Sequence, residues 1–169
     1  MIHVCSLARL PETVAATGAS HVVSLITRSY PVELPKEIAQ ANHLWLDMDD
    51  ICAPLDGYVL PQAYHVEQLL DFVRGWDRAN PLVVHCHAGI SRSSAAAFVA
   101  ACALAPHRDE HAVALAVRRA SPTALPNRRI VSLADHQLKR KGRMLAAVNA
   151  MSPYTPCYSE ALPFRVDID

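Results

Sequence analysis

Pro81-Leu82-Val83-Val84-His85-Cys86-His87-Ala88-Gly89-Ile90-Ser91-Arg92-Ser93 is the stretch on which the reading of this chain turns. Its apolar first half predicts a buried strand over Pro81–His85. The strand delivers a cysteine into a short loop, an arginine follows six positions later, and an alanine-rich helix is predicted from Ser93 to Ala105. Strand, short loop and helix start in that order build an anion site around a thiol. The backbone amides of His87, Ala88, Gly89, Ile90, Ser91 and Arg92 can converge as a nest. The helix start adds unpaired N–H groups and the positive end of its dipole. Arg92 adds a planar fork suited to two oxygens of one phosphate. Such a field favours the thiolate of Cys86, which is the nucleophilic form.

Outward from this loop, hydrophobic periodicity gives the frame. Strands are predicted at Ile2–Leu7, His21–Thr27 and His43–Met48, the second rich in β-branched residues. Short helices are predicted from Pro11 to Gly18 and over Leu34–Ala41. Asp49–Pro61 reads as a loop, punctuated by Pro54, Gly57 and Pro61. Val66, Leu69, Leu70, Val73 and Trp76 recur at helical spacing and place a helix over Gln62–Ala79. A further helix is expected at Asp109–Ala120, and one long helix from Asn127 toward Ala150. The segment 151–169, with Pro153, Pro156 and Pro163, reads as an irregular tail behind a single catalytic domain at 1–150. Strands alternating with helices give the α/β class, with a mostly parallel central sheet of four to five strands flanked by helices.

Composition bounds the rest. A length of 169 residues, half of them apolar, suits one domain with a sizeable core. Net charge is zero, which gives no global pull toward nucleic acid or a membrane. Arg118, Arg119, Arg128, Arg129, Lys139, Arg140, Lys141 and Arg143 nevertheless cluster late, opposed only by Asp135. They read as a solvated helix face or as a rim that attracts an anionic substrate. Cys5, Cys52, Cys86, Cys102 and Cys157 are scattered, odd in number and without zinc spacing, so no metal and no cofactor is expected. The N-terminus lacks the pattern of a signal peptide. These features together predict a cytoplasmic protein.

The residues His85-Cys86-x-x-Gly89-x-x-Arg92-Ser93 carry a resemblance to the cysteine-dependent protein tyrosine phosphatases. The chain from Ile2 to about Ala150 resembles the compact dual-specificity branch of that superfamily. The resemblance implies that Cys86 attacks phosphorus to form a phosphocysteine, and that Arg92 holds two phosphoryl oxygens. It implies that Gly89 lets the loop turn, that Ser93 hydrogen-bonds the sulfur, and that His85 orients the loop. It also implies an aspartic acid that protonates the leaving oxygen from an upstream loop. Asp47, Asp49, Asp50 and Asp56 are on offer. Asp47 sits inside the strand pattern. Asp50 matches the second position of the related Asp-Asp-x-x-x-Pro pattern, Asp49-Asp50-Ile51-Cys52-Ala53-Pro54, with Asp49 and Asp56 as alternatives. Asn127 either braces the catalytic loops or caps the last helix. Cys52 is either a resolving thiol for Cys86 or an ordinary cysteine. Tyr30 and Tyr58 are candidates for the mouth of the site, and Trp45 and Trp76 for the core.

The expected activity is hydrolysis of a phosphomonoester, on phosphotyrosine and on phosphoserine or phosphothreonine. The expected partner is a phosphorylated protein or another phosphomonoester, with no nucleic acid and no membrane. The loop interior, His87-Ala88-Gly89-Ile90-Ser91, holds no lysine, and the resemblance implies that highly charged inositol phospholipids are then disfavoured, since relatives that prefer them carry lysines there. Two other readings compete: a non-catalytic phosphate-binding module, and a rhodanese-like sulfurtransferase, which also places a cysteine loop before a helix.

Overall fold

The computed structural model describes residues 1–168. Asp169, the last residue of the expected tail, lies outside the described residues. The apolar run of the signature stretch becomes β4 (Leu82–Cys86), buried at every position. It lies in parallel between β1 (Ile2–Ser6) and β2 (His21–Leu25). β3 (His43–Leu46) extends the sheet beyond β2, and β5 (Phe164–Val166) runs antiparallel along β1. The order is β3-β2-β4-β1-β5, so the strand carrying the nucleophile candidate is the central one.

Side chains alternate across a strand, and the two faces of β4 meet different layers. Leu82, Val84 and Cys86 join the larger core, with Ile2, Val4, Val23, Leu25 and Leu46 from the neighbouring strands. That face is covered by α2 (Ala63–Gly75), α3 (Arg92–Leu104), α4 (Glu110–Ala120), α5 (Arg128–Gln137) and α6 (Arg143–Asn149). Val83 faces the opposite way, toward a smaller cluster built on Leu10 and Val14 of α1 (Leu10–Thr17). Each fully buried Val or Leu contributes about 1.5–3 kcal/mol. α3 is buried from Arg92 to Cys102 and packs on β4, α2, α4 and α5. Its run of alanines is what lets a helix sit so closely among so many neighbours.

The elements depart from the sequence expectation in three places. Leu34–Ala41 does not form an α-helix; only a short 3-10 turn, Gln40–Asn42, closes this stretch. Pro31 and Pro35 remove two amides and fix the backbone where a helix would begin. The single long helix expected from Asn127 to Ala150 is two helices, α5 and α6. Lys139, Lys141 and Gly142 all adopt positive φ between them. The Asp135 carboxylate accepts from the amides of Gly142 (2.6 Å) and Met144 (2.8 Å), so it caps the second helix at the break. Third, the segment after residue 150, expected to be irregular throughout, ends in β5 and joins the sheet. Among the described residues no helix is long and apolar enough to cross a membrane.

Part of the late basic cluster serves this packing. Glu110, buried at the start of α4, takes Arg140 at 3.0 Å and Arg143 at 3.1 Å. The hydrogen bond from Arg143 is the main cause that holds the Glu110 carboxyl below its ordinary range. Its contribution is therefore present above the ordinary glutamate value and lost as pH falls through the lowered folded-state value. Removing Glu110 strands the mostly buried Arg140, while the exposed Arg143 returns to water, so the cost is that of the Arg140 hydrogen bond, about 2 kcal/mol. Glu110→Ala is expected to lower unfolding stability by about that amount in urea titrations at pH 7, with the gap to wild type closing under acid conditions.

Candidate active site

β4 ends at Cys86, and the chain turns through His87–Ser91 into α3. Cys86 is 2% exposed, and its Sγ lies 3.1 Å from the hydroxyl of Ser93, the second residue of α3. The carbonyls of the loop are drawn outward. His87 O accepts from the Leu7 amide at 3.1 Å, and Ala88 O from the Ala161 amide at 2.9 Å. Ile90 O accepts from the Leu125 amide at 3.0 Å and from the Ser94 hydroxyl. Ser91 O accepts from the amides of Ala95 (3.0 Å) and Asn127 (3.3 Å). In a planar trans peptide the N–H points opposite the C=O. Outward carbonyls at 87, 88, 90 and 91 therefore turn the amides of Ala88, Gly89, Ser91 and Arg92 inward, as an anion nest.

Gly89 makes the turn with φ +74. A Cβ at this position would lie 2.9 Å from both Cys5 C and Ser6 N at the end of β1. Glycine is required here twice over, for the left-handed backbone and for the close approach of β1.

Arg92 is the first residue of α3 and is 7% exposed. Its Nη1 donates to the Met48 carbonyl at 2.8 Å, which holds the fork in place. Its Nε is buried and has no partner among the described residues. Arg92 lines the same cavity as Cys86, and its unpaired donor leaves the guanidinium capacity for a further acceptor.

His85 points to the other face of the sheet from Cys86. Its Nε2 lies 2.6 Å from the Ser24 hydroxyl, which lies 2.8 Å from His43 Nε2. One hydroxyl proton cannot serve both rings, so at least one imidazole donates to the Ser24 oxygen through Nε2. Burial is the main cause that pushes His85 down to about 4, so the ring is neutral and serves as a fixed strut at ordinary pH.

The loop opens into a cavity of about 670 Å³. Asp50, Cys52, Cys86, Arg92, Arg118 and Arg128 bring its chemistry, and Ile90, Leu125, Val148 and Met151 its apolar wall. Asp50 Oδ1 accepts from Ser91 Oγ and from Asn127 Nδ2, both at 2.8 Å. Oδ2 has no partner among the described residues. Asn127 Oδ1 meanwhile accepts from the amides of Arg129 and Ile130 and caps α5. The brace and the cap, which the sequence offered as alternatives, are both made.

A family model described as protein-tyrosine phosphatase matches residues 55–122, the segment that contains β4, the loop and α3. Among solved structures, human DUSP28 aligns with a TM-score of 0.64 at 19% identity, covering 83% of this chain and 92% of its own. The human tyrosine phosphatase-like serine/threonine/tyrosine-interacting protein gives 0.64 at 16%, covering 83% and 92%. The Cydia pomonella PTP-2 phosphatase gives 0.62 at 18%, covering 98% and 94%. No curated protein sequence matches the chain.

The chain shares the fold of the compact, dual-specificity-like protein-tyrosine phosphatases, and its residues 55–122 match that family's model.

Within that phosphatase fold the structure sorts the acidic candidates by position. Asp47 accepts from the Arg28 amide at 2.9 Å and pairs with the Arg28 guanidinium at 3.7 Å. Asp49 accepts from the Val59 amide at 2.7 Å and pins the two ends of its loop together. Asp56 is exposed and away from the cavity lining. Asp50 alone of the four lines the cavity with Cys86. Cys52 is exposed at its edge, with Sγ 3.8 Å from Asn127 Oδ1. Tyr30 lies beside the loop rather than in the lining, its ring 4.9 Å from that of His87. Tyr58 is exposed outside it. Trp45 and Trp76 donate through Nε1 to Ile26 O and Asn80 O, consistent with structural roles.

Sequence reasoning missed the partners that come from far along the chain: Ser24 and His43 behind His85, and the 151–161 segment against the loop. It left Arg118 and Arg128 undivided from the rest of the basic cluster. Arg118 is buried with Nη1 on the carbonyl of Pro122, while Arg128 is exposed at the cavity. Gly89→Ala is expected to destabilise the domain by about 1–3 kcal/mol through backbone strain alone, with the β1 contact adding to it. Denaturant unfolding of the variant checks this.

Proposed function

We propose that the chain hydrolyses phosphomonoesters through a phosphocysteine on Cys86, with phosphotyrosine and phosphoserine or phosphothreonine of proteins as its substrate class. The observation that carries this reading is the convergence on one cavity of Cys86, Arg92, the loop with its inward amides, and Asp50.

The substrate phosphoryl group sits in the nest, two of its oxygens on the Arg92 fork. The Cys86 thiolate attacks phosphorus opposite the ester oxygen. The P–O ester bond breaks, and Asp50 gives its proton to the leaving oxygen. Oδ1 of Asp50 is committed to Ser91 and Asn127, so the proton rides on Oδ2. In the second step Asp50, now a carboxylate, takes a proton from water as that oxygen attacks phosphorus. The P–S bond breaks, inorganic phosphate leaves, and the sulfur recovers its electron pair. The Ser93 hydroxyl at 3.1 Å donates to that sulfur and makes it a better leaving group. The inward amides and Arg92 stabilise the equatorial charge in both transition states.

The apolar wall of Ile90, Leu125, Val148 and Met151 suits an aromatic or aliphatic body behind the phosphate. The absence of lysine from 87–91 supports phosphoprotein over polyphosphorylated lipid as substrate. Among the neighbours by fold, one is named an interacting protein. Capture without turnover is therefore the second reading, and activity measurements separate the two.

Cys86→Ser is expected to abolish hydrolysis of an aryl phosphate while retaining affinity for inorganic phosphate. Asp50→Asn is expected to lower kcat by about a hundredfold and to remove the basic limb of the pH–rate profile. An unchanged profile in that variant would reassign the acid to Asp49 or Asp56.

A further inference from the structure

After α6 the chain crosses the catalytic end of the sheet before it forms β5. It is fixed there by side chains that the mechanism above does not use. Ser6, at the last position of β1, stands opposite Cys86 in the parallel register and is 1% exposed. Its hydroxyl donates to the Glu160 carboxylate and accepts from the Arg9 amide at 3.3 Å, so both of its capacities are used. Arg9 Nε lies 3.6 Å from the other carboxylate oxygen of Glu160. The next residue, Ala161, is buried, and its amide makes the 2.9 Å bond to Ala88 O. Upstream, the Thr155 amide donates to Pro122 O at 2.9 Å. The Arg118 guanidinium covers the Tyr154 ring at 5.7 Å.

We propose that Glu160 is a positioning residue of the phosphate loop: held by Ser6 and Arg9, it keeps the Ala161 amide on the Ala88 carbonyl and so keeps the Gly89 N–H aimed at the anion. This rests on reading the loop as a phosphate cradle. The peptide between Ala88 and Gly89 is the one that most needs such a hold. Glycine at 89 frees its φ, and a flip of this peptide would turn a carbonyl oxygen toward the phosphate. Ala161 is the only donor to Ala88 O among the described residues. The other tethered carbonyls of the loop are fixed just after β1 or by segments adjoining α3 and α5, whereas this one depends on a segment from the far end of the chain.

Electrostatics alone would argue the reverse. A carboxylate near an anion site repels the anion, and its removal should tighten binding. The sign of the effect therefore separates the two accounts. Inorganic phosphate is the probe, measured by calorimetry on the full chain, with melting temperature recorded beside it. Glu160→Ala and Ser6→Ala are each expected to weaken phosphate binding about tenfold, because they delete the same charge-assisted bond from its two ends. The double variant should be no worse than either single one. Glu160→Gln keeps an acceptor for Ser6 and is expected to stay near wild type. Glu12→Ala, which removes the exposed partner of Arg9, should have no effect.

Phosphate affinity equal to or tighter than wild type in Glu160→Ala overturns the proposal. So does a lowered melting temperature with unchanged affinity, and so do fully additive losses in the double variant. If Glu160→Ala does not fold, Ser6→Ala and Glu160→Gln decide by the same criterion. A wild-type protein that binds phosphate without hydrolysing an aryl phosphate would overturn the hydrolase reading, and these affinities would still judge the clamp. A wild-type protein that binds no phosphate would overturn both.

Discussion

The planarity of the peptide bond is the constraint from which this site follows. A loop five residues long cannot aim its amides by side-chain packing, because it has little side chain to pack. It is aimed instead from behind. Donors just after β1, on the segment before α5 and on the C-terminal segment seize the carbonyls, and rigid peptide planes turn the amides toward the centre. The donors themselves are backbone amides held in a folded frame, so their direction is set before any ligand arrives. This is preorganisation in its literal sense: dipoles are fixed by folding free energy and need no reorganisation when charge appears between them.

The central position of β4 makes such a frame available. A strand with parallel neighbours on both sides has its backbone fully paired, and its end is surrounded by the ends of β1 and β2. Its two faces then serve different ends. Cys86 lies against the helical layer, where Ser93 and Arg92 can reach its surroundings. His85 lies against the other layer, where Ser24 and His43 hold it. Cys86 and His85 are adjacent in sequence yet supported by separate parts of the core.

How much of this was readable from the sequence follows from the range of each interaction. The loop was legible because its chemistry is local: Cys86, Gly89, Arg92 and Ser93 fall within eight residues, and the elements on either side announce themselves by periodicity. The first four strands were legible for the same reason. Asp50 was only one of several aspartates, since nothing in its spacing reveals that Ser91 and Asn127 converge on it from two other elements. The break between α5 and α6 was hidden because Asp135 acts seven and nine residues downstream, on amides no pattern marks. β5 was hidden by its brevity and by the prolines before it. The pairing of Ser6 with Glu160 spans most of the chain, and no local pattern predicts a contact of that range.

Asn127 ties two of these long-range features into one atom-level demand. Its oxygen starts a helix, while its nitrogen grips a carboxylate from a loop far upstream. An aspartate would serve the helix but set like charges against each other; a serine would serve the helix but fall short of the loop. Only a short carboxamide satisfies both ends. A change at this position would therefore disturb the start of α5 and the placement of Asp50 together.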